Sequence, residues 1–370
     1  MELLERYGKK LILQIIGLFR SGRKISPREL PVNHLKRILI VRQHDQLGDL
    51  LISTPAIRAV RQRFPQAHIS IVVREYTAPL MWDNPNVDEI IVFYEKLNKW
   101  NLQVFRSFFD QLRRDGGYDC AIVLNTVSRS LSSDIIAVLS KAKYIIGPNH
   151  LSHDRELPEM IYNVLTPRSR QQQREIDHNL DIVRSFGVPP AGNEYDLILD
   201  DEEITEAEKA HYDLRLGTGV SIGVHFGTLD DSRRFPLQKL AKVIDWVKQN
   251  TDSEVILIVG PNEVRMRDDL QRMLKSKVHS APLMPLRVSA AFIRKMNLFL
   301  CNDTGTLHIA AALKVPTVSF HGMNDPEIWK PPHERHIAVR AADKKITSIT
   351  PEMAIEAIKV QLDRIKSAYY

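Results

Sequence analysis

The stretch KRILIVRQHDQLGDLLISTPAIRAVRQRF, residues 36–64, passes from an apolar run through a polar turn into a helical pattern. KRILIV is short and β-branched, as in a buried strand, and PAIRAVRQRF repeats apolar residues at helical spacing. Thr54 is predicted to cap this helix, and Pro55 suits its first turn. The stretch therefore predicts a strand that leads into a helix, joined by a loop of the kind that often faces a ligand.

The polar turn raises a chemical question because His44, Asp45 and Asp49 surround a single glycine, Gly48. A carboxylate at this place can cap the following helix, or it can accept a proton from a hydroxyl nucleophile. It is poorly placed to hold a diphosphate, since like charges repel. The residues alone leave capping and proton transfer open for Asp49.

The same alternation of short apolar runs and helical patterns fills two halves of the chain. It predicts an α/β fold with parallel sheets covered by helices on both faces. Ligands of such sheets bind beyond the carboxyl ends of the strands, so two facing halves would enclose a cleft. The runs predicted as strands are KRILIV, HISIVV, EIIVFY, DCAIVLN and KYIIGPN in the first half, and SIGVHFG, EVILIVG, LFLCND and TVSFHG in the second.

Length and composition fit two globular domains. The chain has 370 residues, of which 44% are apolar and 26% charged. Its two cysteines, Cys120 and Cys301, lie in separate apolar runs and are predicted to be buried, as is typical of a reducing compartment. The net charge of +6 suits an anionic small substrate or an anionic membrane surface. We expect no nucleic-acid partner, because the sequence has no basic block laced with aromatic residues and no nucleic-acid motif.

The N-terminal segment KKLILQIIGLFRSGRK has a short apolar centre between basic flanks. It is too short to span a membrane, which takes roughly 20 apolar residues, and SGRK does not suit a signal-peptide cleavage site. The pattern is typical of a basic amphipathic helix. Residues 1–24 could bind an anionic membrane surface, or they could pack on the protein itself.

The sharpest site signal in the second half is LFLCNDTGTLHIAAAL, where a strand leads into a helix. The backbone N–H groups and the dipole of a helix start favour an anion. Gly305 lets a phosphate approach the backbone, His308 can donate to it, and Asp303 can orient a sugar hydroxyl. The alternative is a helix capped by Asp303 or Thr304, with His308 packed nearby.

A second loop, HFGTLDDSRRFP, follows another strand of the same half. Thr228 offers a hydroxyl, and Arg233 and Arg234 offer forked donors that match the oxygens of a diphosphate. The alternative is that both arginines are surface charges paired with Asp230 and Asp231.

A third loop, IVGPNEVRM, places Glu263 after a strand, where an acid can hold ribose hydroxyls or start a helix. The sequence has no P-loop, no GxSxG elbow, no HExxH and no paired CxxC. It also shows no cluster of metal ligands, so we expect neither a metal nor a cofactor.

Together these motifs resemble the glycosyltransferase family 9 heptosyltransferases, which build the inner core of bacterial lipopolysaccharide. The resemblance covers residues 36–345 and rests on the opening stretch, on SRRFP, and on PLMPLRVSAAFIRKMNLFLCNDTGTLHIAAALKVPTVSFHG. It implies a GT-B architecture of two Rossmann-like domains facing a central cleft. The implied segments are a basic extension (1–35), an acceptor-side domain (36–190), a nucleotide-sugar domain (200–350), and a final helix (351–370) that could cross back to the first domain.

The resemblance also implies roles for individual residues. Asp49 matches the catalytic base of the family, and a set in the second half matches the donor-binding residues: Thr228, Arg233, Glu263, Met284, Asp303, Thr304, Gly305 and His308. Of these, Arg233 and Thr228 match phosphate contacts, Met284 the adenine pocket, and Glu263 the ribose contact. The chain departs from the family at HFG, where a Pro-Gly pair is common, and at Phe235, where Trp is common.

The implied reaction is a metal-independent, inverting transfer of a heptose from ADP-heptose to a lipid-linked saccharide acceptor of the lipopolysaccharide inner core. Two alternatives stay open. One is a family 9 transferase with another nucleotide sugar or acceptor, such as a surface polysaccharide or a protein; the other is a non-catalytic sugar-nucleotide binding module. The implied location is cytoplasmic, at the inner face of the bacterial inner membrane.

Overall fold

The chain divides into two compact units, Met1–Asp196 and Leu197–Tyr370. A computed structural model describes residues 24–44, 46–126, 130–149, 161–167 and 172–368. Asp45 and nearly all of the predicted amphipathic helix at residues 1–24 lie outside the described residues. The division falls at the end of VPPAGNEYD, while the exact domain limits proposed from the sequence stay predictions.

The described part of the first unit contains a six-stranded sheet with strands β1 (Arg37–Arg42), β2 (His68–Arg74), β3 (Glu89–Phe93), β4 (Cys120–Val123), β5 (Tyr144–Gly147) and β6 (Val164–Leu165). The strands are ordered β3-β2-β1-β4-β5-β6, and every neighbouring pair is parallel. The central strands β1 and β4 are buried along almost their whole length, as in a sheet covered on both faces.

The described part of the second unit contains a sheet with strands β7 (Ser221–His225), β8 (Glu254–Leu257), β9 (His279–Ser280), β10 (Leu298–Asn302), β11 (Thr317–His321) and β12 (His336–Arg340). These are ordered β12-β11-β10-β7-β8-β9, again all parallel. Counted within its own unit, each sheet follows the order 3-2-1-4-5-6 of a Rossmann-like domain. The predicted α/β class with two Rossmann-like domains is confirmed.

The α-helices of the described residues alternate with these strands. They are α1 (Leu47–Arg63), α2 (Leu102–Leu112), α3 (Leu131–Leu139), α4 (Glu175–Arg184), α5 (Asp201–Asp213), α6 (Leu237–Asn250), α7 (Val264–Met273), α8 (Leu286–Arg294), α9 (Gly305–Ala312), α10 (Pro326–Trp329) and α11 (Pro351–Ala368).

The helix after β1 begins earlier than predicted. α1 starts at Leu47, so Thr54 does not cap it and Pro55 lies inside it. A proline has no N–H for the carbonyl of Leu51, four residues earlier. The buried Thr54 hydroxyl donates to that carbonyl instead, at 2.7 Å. The prediction of a Thr54 cap is wrong because a side-chain hydroxyl satisfies the carbonyl and lets the helix continue through the proline.

All nine runs predicted as strands contain a strand of the structure. The sequence analysis missed β6, β9 and β12, which all lie toward the edges of their sheets. β6 and β9 have only two residues each, and β12 is only partly buried. Edge strands of this kind lack the long apolar run by which a central parallel strand is found.

Each unit has its own apolar core, formed by the central strands and the helices that cover them. Cys120 and Cys301 lie buried in β4 and β10 as free thiols, as predicted. The final helix, α11, packs on α6, β11 and β12, and places Ile358 and Leu362 in the core of the second unit. Its contact with the first domain stays a prediction. Within the described ranges, no helix combines the length and the apolar character needed to cross a membrane.

Candidate active site

Each sheet reverses its strand order between two central strands, β1 and β4 in the first unit and β7 and β10 in the second. Open α/β sheets bind ligands at such switch points, beyond the carboxyl ends of the strands. Asp49 follows β1 and Asp303 follows β10. Both acids therefore lie at the switch point of their own sheet.

Asp49 is the third residue of α1 and is half-buried. Its Oδ2 accepts a hydrogen bond from the backbone N–H of Gln46 at 2.8 Å, which caps the start of the helix. Among the described residues, no hydrogen-bond donor reaches Oδ1. The carboxylate thus caps its helix and keeps one oxygen for a ligand, so capping and proton transfer do not exclude each other here.

A buried arginine fixes the backbone beside Asp49. Arg42, at the end of β1, is 1% exposed and donates to the carbonyl oxygens of Leu124, at 2.7 Å, and of Asp49, at 3.0 Å. The amide of the next residue, Gln43, donates to the Ser133 hydroxyl at 2.9 Å, in the first turn of α3. These bonds tie the ends of β1 and β4 to the start of α1 and use the backbone of Asp49, not its carboxylate.

In the second unit, Thr304 is the N-cap residue of α9 and Gly305 is the first residue of that helix. The Thr304 side chain makes no cap hydrogen bond; its hydroxyl lies 3.0 Å from the Thr306 hydroxyl. Among the described residues, the N-cap side chain thus leaves the first amides of α9 uncapped, and the helix dipole favours an anion beside them. The geometry suits the predicted phosphate contact, which itself stays a prediction.

Asp303 is 5% exposed and is held by two donors. Nη2 of Arg233 donates to its Oδ2 at 2.9 Å and to its carbonyl at 2.6 Å, and the Asn324 amide donates to Oδ2 at 2.7 Å. Burial alone would raise the pKa of Asp303, but His321, Asn324 and Arg233 outweigh it and lower that pKa. Burial also lowers the pKa of His321 to about 4, so at neutral pH the positive charge that faces Asp303 comes from Arg233.

The two neighbouring arginines have different partners. Arg234 donates to Asp231 at 2.6 Å, and Asp230 accepts from the backbone N–H of Ser232 at 2.9 Å. Arg234 therefore pairs with Asp231 as that alternative expects, although its side chain is only 18% exposed, whereas Arg233 pairs with Asp303 instead. Arg233 contacts Asp303 through Nη2 alone, and among the described residues its Nη1 and Nε have no acceptor.

Glu263 turns its carboxylate toward the end of β7. Its Oε2 accepts from the Gly260 N–H at 2.7 Å and lies 3.2 Å from Nε2 of His225. Gly227 leaves space for Oε1, because a Cβ at Gly227 would lie 1.4 Å from that atom. Burial alone would raise the pKa of Glu263, but His225, the Gly260 amide and Arg234 lower it, so the group is ionised at neutral pH.

The remaining predicted donor residues are less closely tied to this network. The Thr228 hydroxyl donates to the carbonyl of Asp230 at 2.9 Å, which braces the loop after β7. Met284 is half-buried in the segment before α8, and His308 is 4% exposed in the first turns of α9. The structure thus brings Arg233 to Asp303 and Glu263 to the end of β7. None of these residues forms a hydrogen bond with Met284.

Sequence reasoning missed four polar residues of this region, namely His225, Thr306, His321 and Asn324. His225 and His321 are the last residues of β7 and β11. A polar residue that ends a buried strand of a parallel sheet is a signal that could have found both, because the carboxyl ends meet at one edge. Asn324 follows β11 in a turn, and no spacing rule connects it to Asp303.

The departure from the family at Phe235 lies in the core and not at the site. Phe235 is 1% exposed and stacks on Phe320 with ring centroids 4.3 Å apart. Its backbone N–H donates to the buried Asn302 side chain at 2.9 Å. The aromatic side chain thus anchors the loop that carries Arg233.

Within the described part of the chain, no group of three or more His, Cys, Asp or Glu side chains is arranged to hold a metal ion. The network around Asp303 and Glu263 is instead completed by arginine, histidine, amide and hydroxyl groups. Independence of a metal stays a prediction.

Comparison with known proteins finds relatives that match along most of the chain. The chain is 24% identical over 304 residues to lipopolysaccharide heptosyltransferase 3 of Escherichia coli K12, covering 77% of this chain and 82% of that protein. The crystal structure of a family 9 glycosyltransferase from Veillonella parvula matches with a TM-score of 0.77 and 23% identity, over 89% of this chain and 97% of that chain. An E. coli heptosyltransferase with ADP matches with a TM-score of 0.70 and 20% identity, over 88% and 99%.

These structural matches, with the two Rossmann-like sheets, confirm the predicted GT-B class. The model of glycosyltransferase family 9 (heptosyltransferase) matches residues 105–355, a range that contains every predicted donor residue and leaves out Asp49. The chain is a glycosyltransferase and belongs to glycosyltransferase family 9, the heptosyltransferase family.

Proposed function

We propose that the protein transfers a heptose from ADP-heptose to a saccharide acceptor of the lipopolysaccharide inner core, with inversion at the anomeric carbon. One observation carries the proposal. At the β7–β10 switch point, Arg233 is held by the buried Asp303 beside an α9 start without a side-chain cap. A forked cation and a helix start together suit a diphosphate leaving group.

The proposed contacts to the nucleotide sugar use hydrogen-bonding atoms that have no partner among the described residues. Arg233 contacts Asp303 through Nη2, which leaves the Nη1 and Nε donors for separate phosphate oxygens. Glu263 uses Oε2 on the protein, which leaves Oε1 beside Gly227 for a ribose hydroxyl. The Gly305 amide can donate to a phosphate at the helix start. Met284 supplies an apolar, adaptable contact for adenine, by analogy with the family.

The acceptor side rests on Asp49. Its Oδ1 is available among the described residues, and the bonds of Arg42 fix the turn. A carboxylate is a weak base for an alcohol, but it suffices when the hydroxyl is acidified by partial bonding to an oxocarbenium-like carbon. Charge on the leaving nucleotide is stabilised by Arg233, His308 and the start of α9.

Asp303 does not suit the base role, although it also follows a central strand. Its Oδ2 already accepts from Arg233 and Asn324, and its pKa is lowered because those partners favour the charged form. Its part in the reaction is to hold Arg233 in place.

The heptose and the lipopolysaccharide acceptor are inferred from relatives that carry those words in their names, at 24% identity or below. The same donor geometry would serve another nucleotide sugar, and the acceptor could be a different surface polysaccharide or a protein. A non-catalytic binding module would keep the donor contacts and make no product.

The experiment is a binding panel followed by a transfer assay. Titration calorimetry with ADP, GDP and UDP should give the tightest binding for ADP. ADP-heptose with a heptose-free inner-core lipid acceptor should then give a glycosylated product by mass spectrometry. Binding without product for any acceptor would support the non-catalytic module, and preference for GDP or UDP would contradict the proposed donor.

We further propose that the enzyme works at the cytoplasmic face of the inner membrane, held there by residues 1–24. Directly after this segment, Ile25 pairs with Val164 at the edge of the first sheet. Deletion of residues 1–24 should release the protein from vesicles of anionic phospholipid and leave ADP binding intact. Equal vesicle binding by the full chain and the deletion variant would contradict the anchor.

A further inference from the structure

A chain of four polar side chains connects the ribose side of the proposed donor site to its phosphate side. Oε2 of Glu263 lies 3.2 Å from Nε2 of His225, and Nδ1 of His225 lies 3.2 Å from the Thr306 hydroxyl. The Thr306 hydroxyl lies 3.0 Å from that of Thr304, the N-cap of α9. The four residues come from three separate strand ends, so the tertiary fold assembles the chain.

The direction of the protons along this chain is constrained at one end. The ionised Glu263 can only accept, so Nε2 of His225 must carry a proton. In a neutral His225, Nδ1 is then an acceptor, and the one proton of the Thr306 hydroxyl points at it. A hydrogen bond between the two hydroxyls then requires Thr306 to accept the proton of Thr304. In this state Thr304 has no proton for a ligand.

A proton on Nδ1 reverses the chain. His225 then donates to Thr306, Thr306 donates to Thr304, and the Thr304 hydroxyl can donate outward at the α9 start. Its nearest other acceptor is the carbonyl of Asn302, at 3.4 Å, which is a weak bond. An anion bound at the start of α9 would attract the Thr304 hydroxyl proton and would favour the positive charge on His225.

We propose that His225 is a positioning residue whose protonation is coupled to binding of the nucleotide diphosphate. One proton moves from solvent to Nδ1, the hydroxyl chain reverses, and Thr304 donates to a diphosphate oxygen; no other bond forms or breaks. The same network would then hold the ribose through Glu263 and the leaving group through Thr304. The inference rests on the proposed function, because it takes the ligand to be a nucleotide diphosphate.

Among the described residues, charged or titratable side chains follow each strand end that supplies the network. Glu263 follows β8, Arg233 and Arg234 follow β7, and Asp303 and His308 flank the start of α9. The anionic Glu263 attracts a positive group, and the two arginines repel it. A bound diphosphate adds negative charge to this set and favours uptake of a proton by the network. Because the proposed binding takes up a proton, affinity for the diphosphate should fall as pH rises.

The test is titration calorimetry with ADP-ribose in two buffers of different ionisation enthalpy, which reports protons taken up on binding. The diphosphate of ADP-ribose is esterified at both ends and does not titrate near neutral pH. Wild type should take up a proton when ADP-ribose binds, and His225→Gln should take up none. ADP is titrated in parallel. Because ADP changes its own protonation on binding, the proton uptake of His225→Gln is subtracted from that of wild type.

Thr306 supplies the matched pair of variants. Thr306→Val keeps the side-chain shape and removes the hydroxyl, so ADP-ribose should bind about 10-fold more weakly while adenosine affinity changes less than about twofold. Thr306→Ser restores the hydroxyl and should restore both the affinity and the proton uptake. A merely structural role for Thr306 would weaken adenosine and ADP-ribose alike.

Three results would overturn the relay. They are binding of ADP-ribose or ADP with no proton uptake that depends on His225, equal losses for adenosine and ADP-ribose in Thr306→Val, and an affinity independent of pH. Each of them leaves the proposed donor class intact, since the nucleotide still binds. Failure of wild type to bind either nucleotide would overturn the relay and the proposed function together.

Discussion

Two strand-to-helix turns of this protein carry an aspartate at the switch point of a Rossmann-like sheet, yet their carboxylates differ in what surrounds them. Asp49 is half-buried, accepts one backbone N–H and keeps an oxygen available among the described residues. Asp303 is 5% exposed and is bound by Arg233 and Asn324. The switch points of two similar domains thus carry a candidate proton acceptor in one and a holder of a cation in the other.

The largest expected effect is on turnover at Asp49. Asp49→Asn keeps an oxygen that can accept the Gln46 N–H, so the helix cap survives, but an amide cannot take a proton. We expect kcat to fall by about 1,000-fold with ADP affinity unchanged. The measurement is a transfer assay paired with calorimetry. Near-normal kcat in this variant would remove Asp49 from the chemistry.

Substitution of Arg233 should lower the affinity for the donor nucleotide, which substitution of Asp49 leaves unchanged. Arg233→Met removes the guanidinium that Asp303 holds, so ADP should bind about 30-fold more weakly. The comparison variant is Arg234→Met, whose arginine pairs with Asp231 and acts on Glu263 only through its charge, and which should change ADP affinity by less than about threefold. Equal losses in the two variants would mean that net charge, and not the arginine held by Asp303, binds the nucleotide.

The pocket for Glu263 can be closed by one methyl group. A Cβ at Gly227 would lie 1.4 Å from Oε1 of Glu263, so Gly227→Ala must displace the carboxylate from its place beside β7. We expect about a 10-fold loss of ADP affinity. Gly260→Ala adds the same methyl 3.6 Å from Oε2 of Glu263, an ordinary contact, and should change ADP affinity little. Tolerance of both substitutions in a binding assay would contradict the ribose contact.

The surroundings of Asp303 also predict a pH dependence of stability. His321 is buried, and its pKa is lowered from 6.5 to about 4, so the unfolded state binds its proton first as pH falls. This histidine should therefore destabilise the fold progressively from pH 6.5 down to about pH 4, by ~3 kcal/mol in total. Urea unfolding across that range should show that the free energy of unfolding changes less with pH in His321→Gln than in wild type. Parallel profiles would show that His321 protonates equally in both states.

Much of this structure could be predicted from the sequence, because buried parallel strands leave long apolar runs. The nine predicted runs and the helix after LFLCND follow from local pattern alone. The Thr54 cap fails because a hydroxyl can replace the N–H that Pro55 lacks, and no propensity rule includes that substitution.

The sequence names some residues of the candidate site, but it does not name the network that joins them. The family resemblance supplies Arg233, Asp303 and Glu263, whereas their partners come from other strands. Asn324 lies 21 positions from Asp303, and His225 lies 81 positions from Thr306. Pairings over such separations are set by strand order, which a single sequence does not state.

The central claim is a division of labour, in which the second unit binds the nucleotide and the turn at Asp49 takes no part in that binding. Hydrogen–deuterium exchange with saturating ADP tests it directly. The account predicts slower exchange of the amides at residues 226–234, 260–264 and 304–308, and unchanged exchange at residues 46–51. Protection confined to residues 46–51, with the start of α9 exchanging as in the free protein, would contradict it.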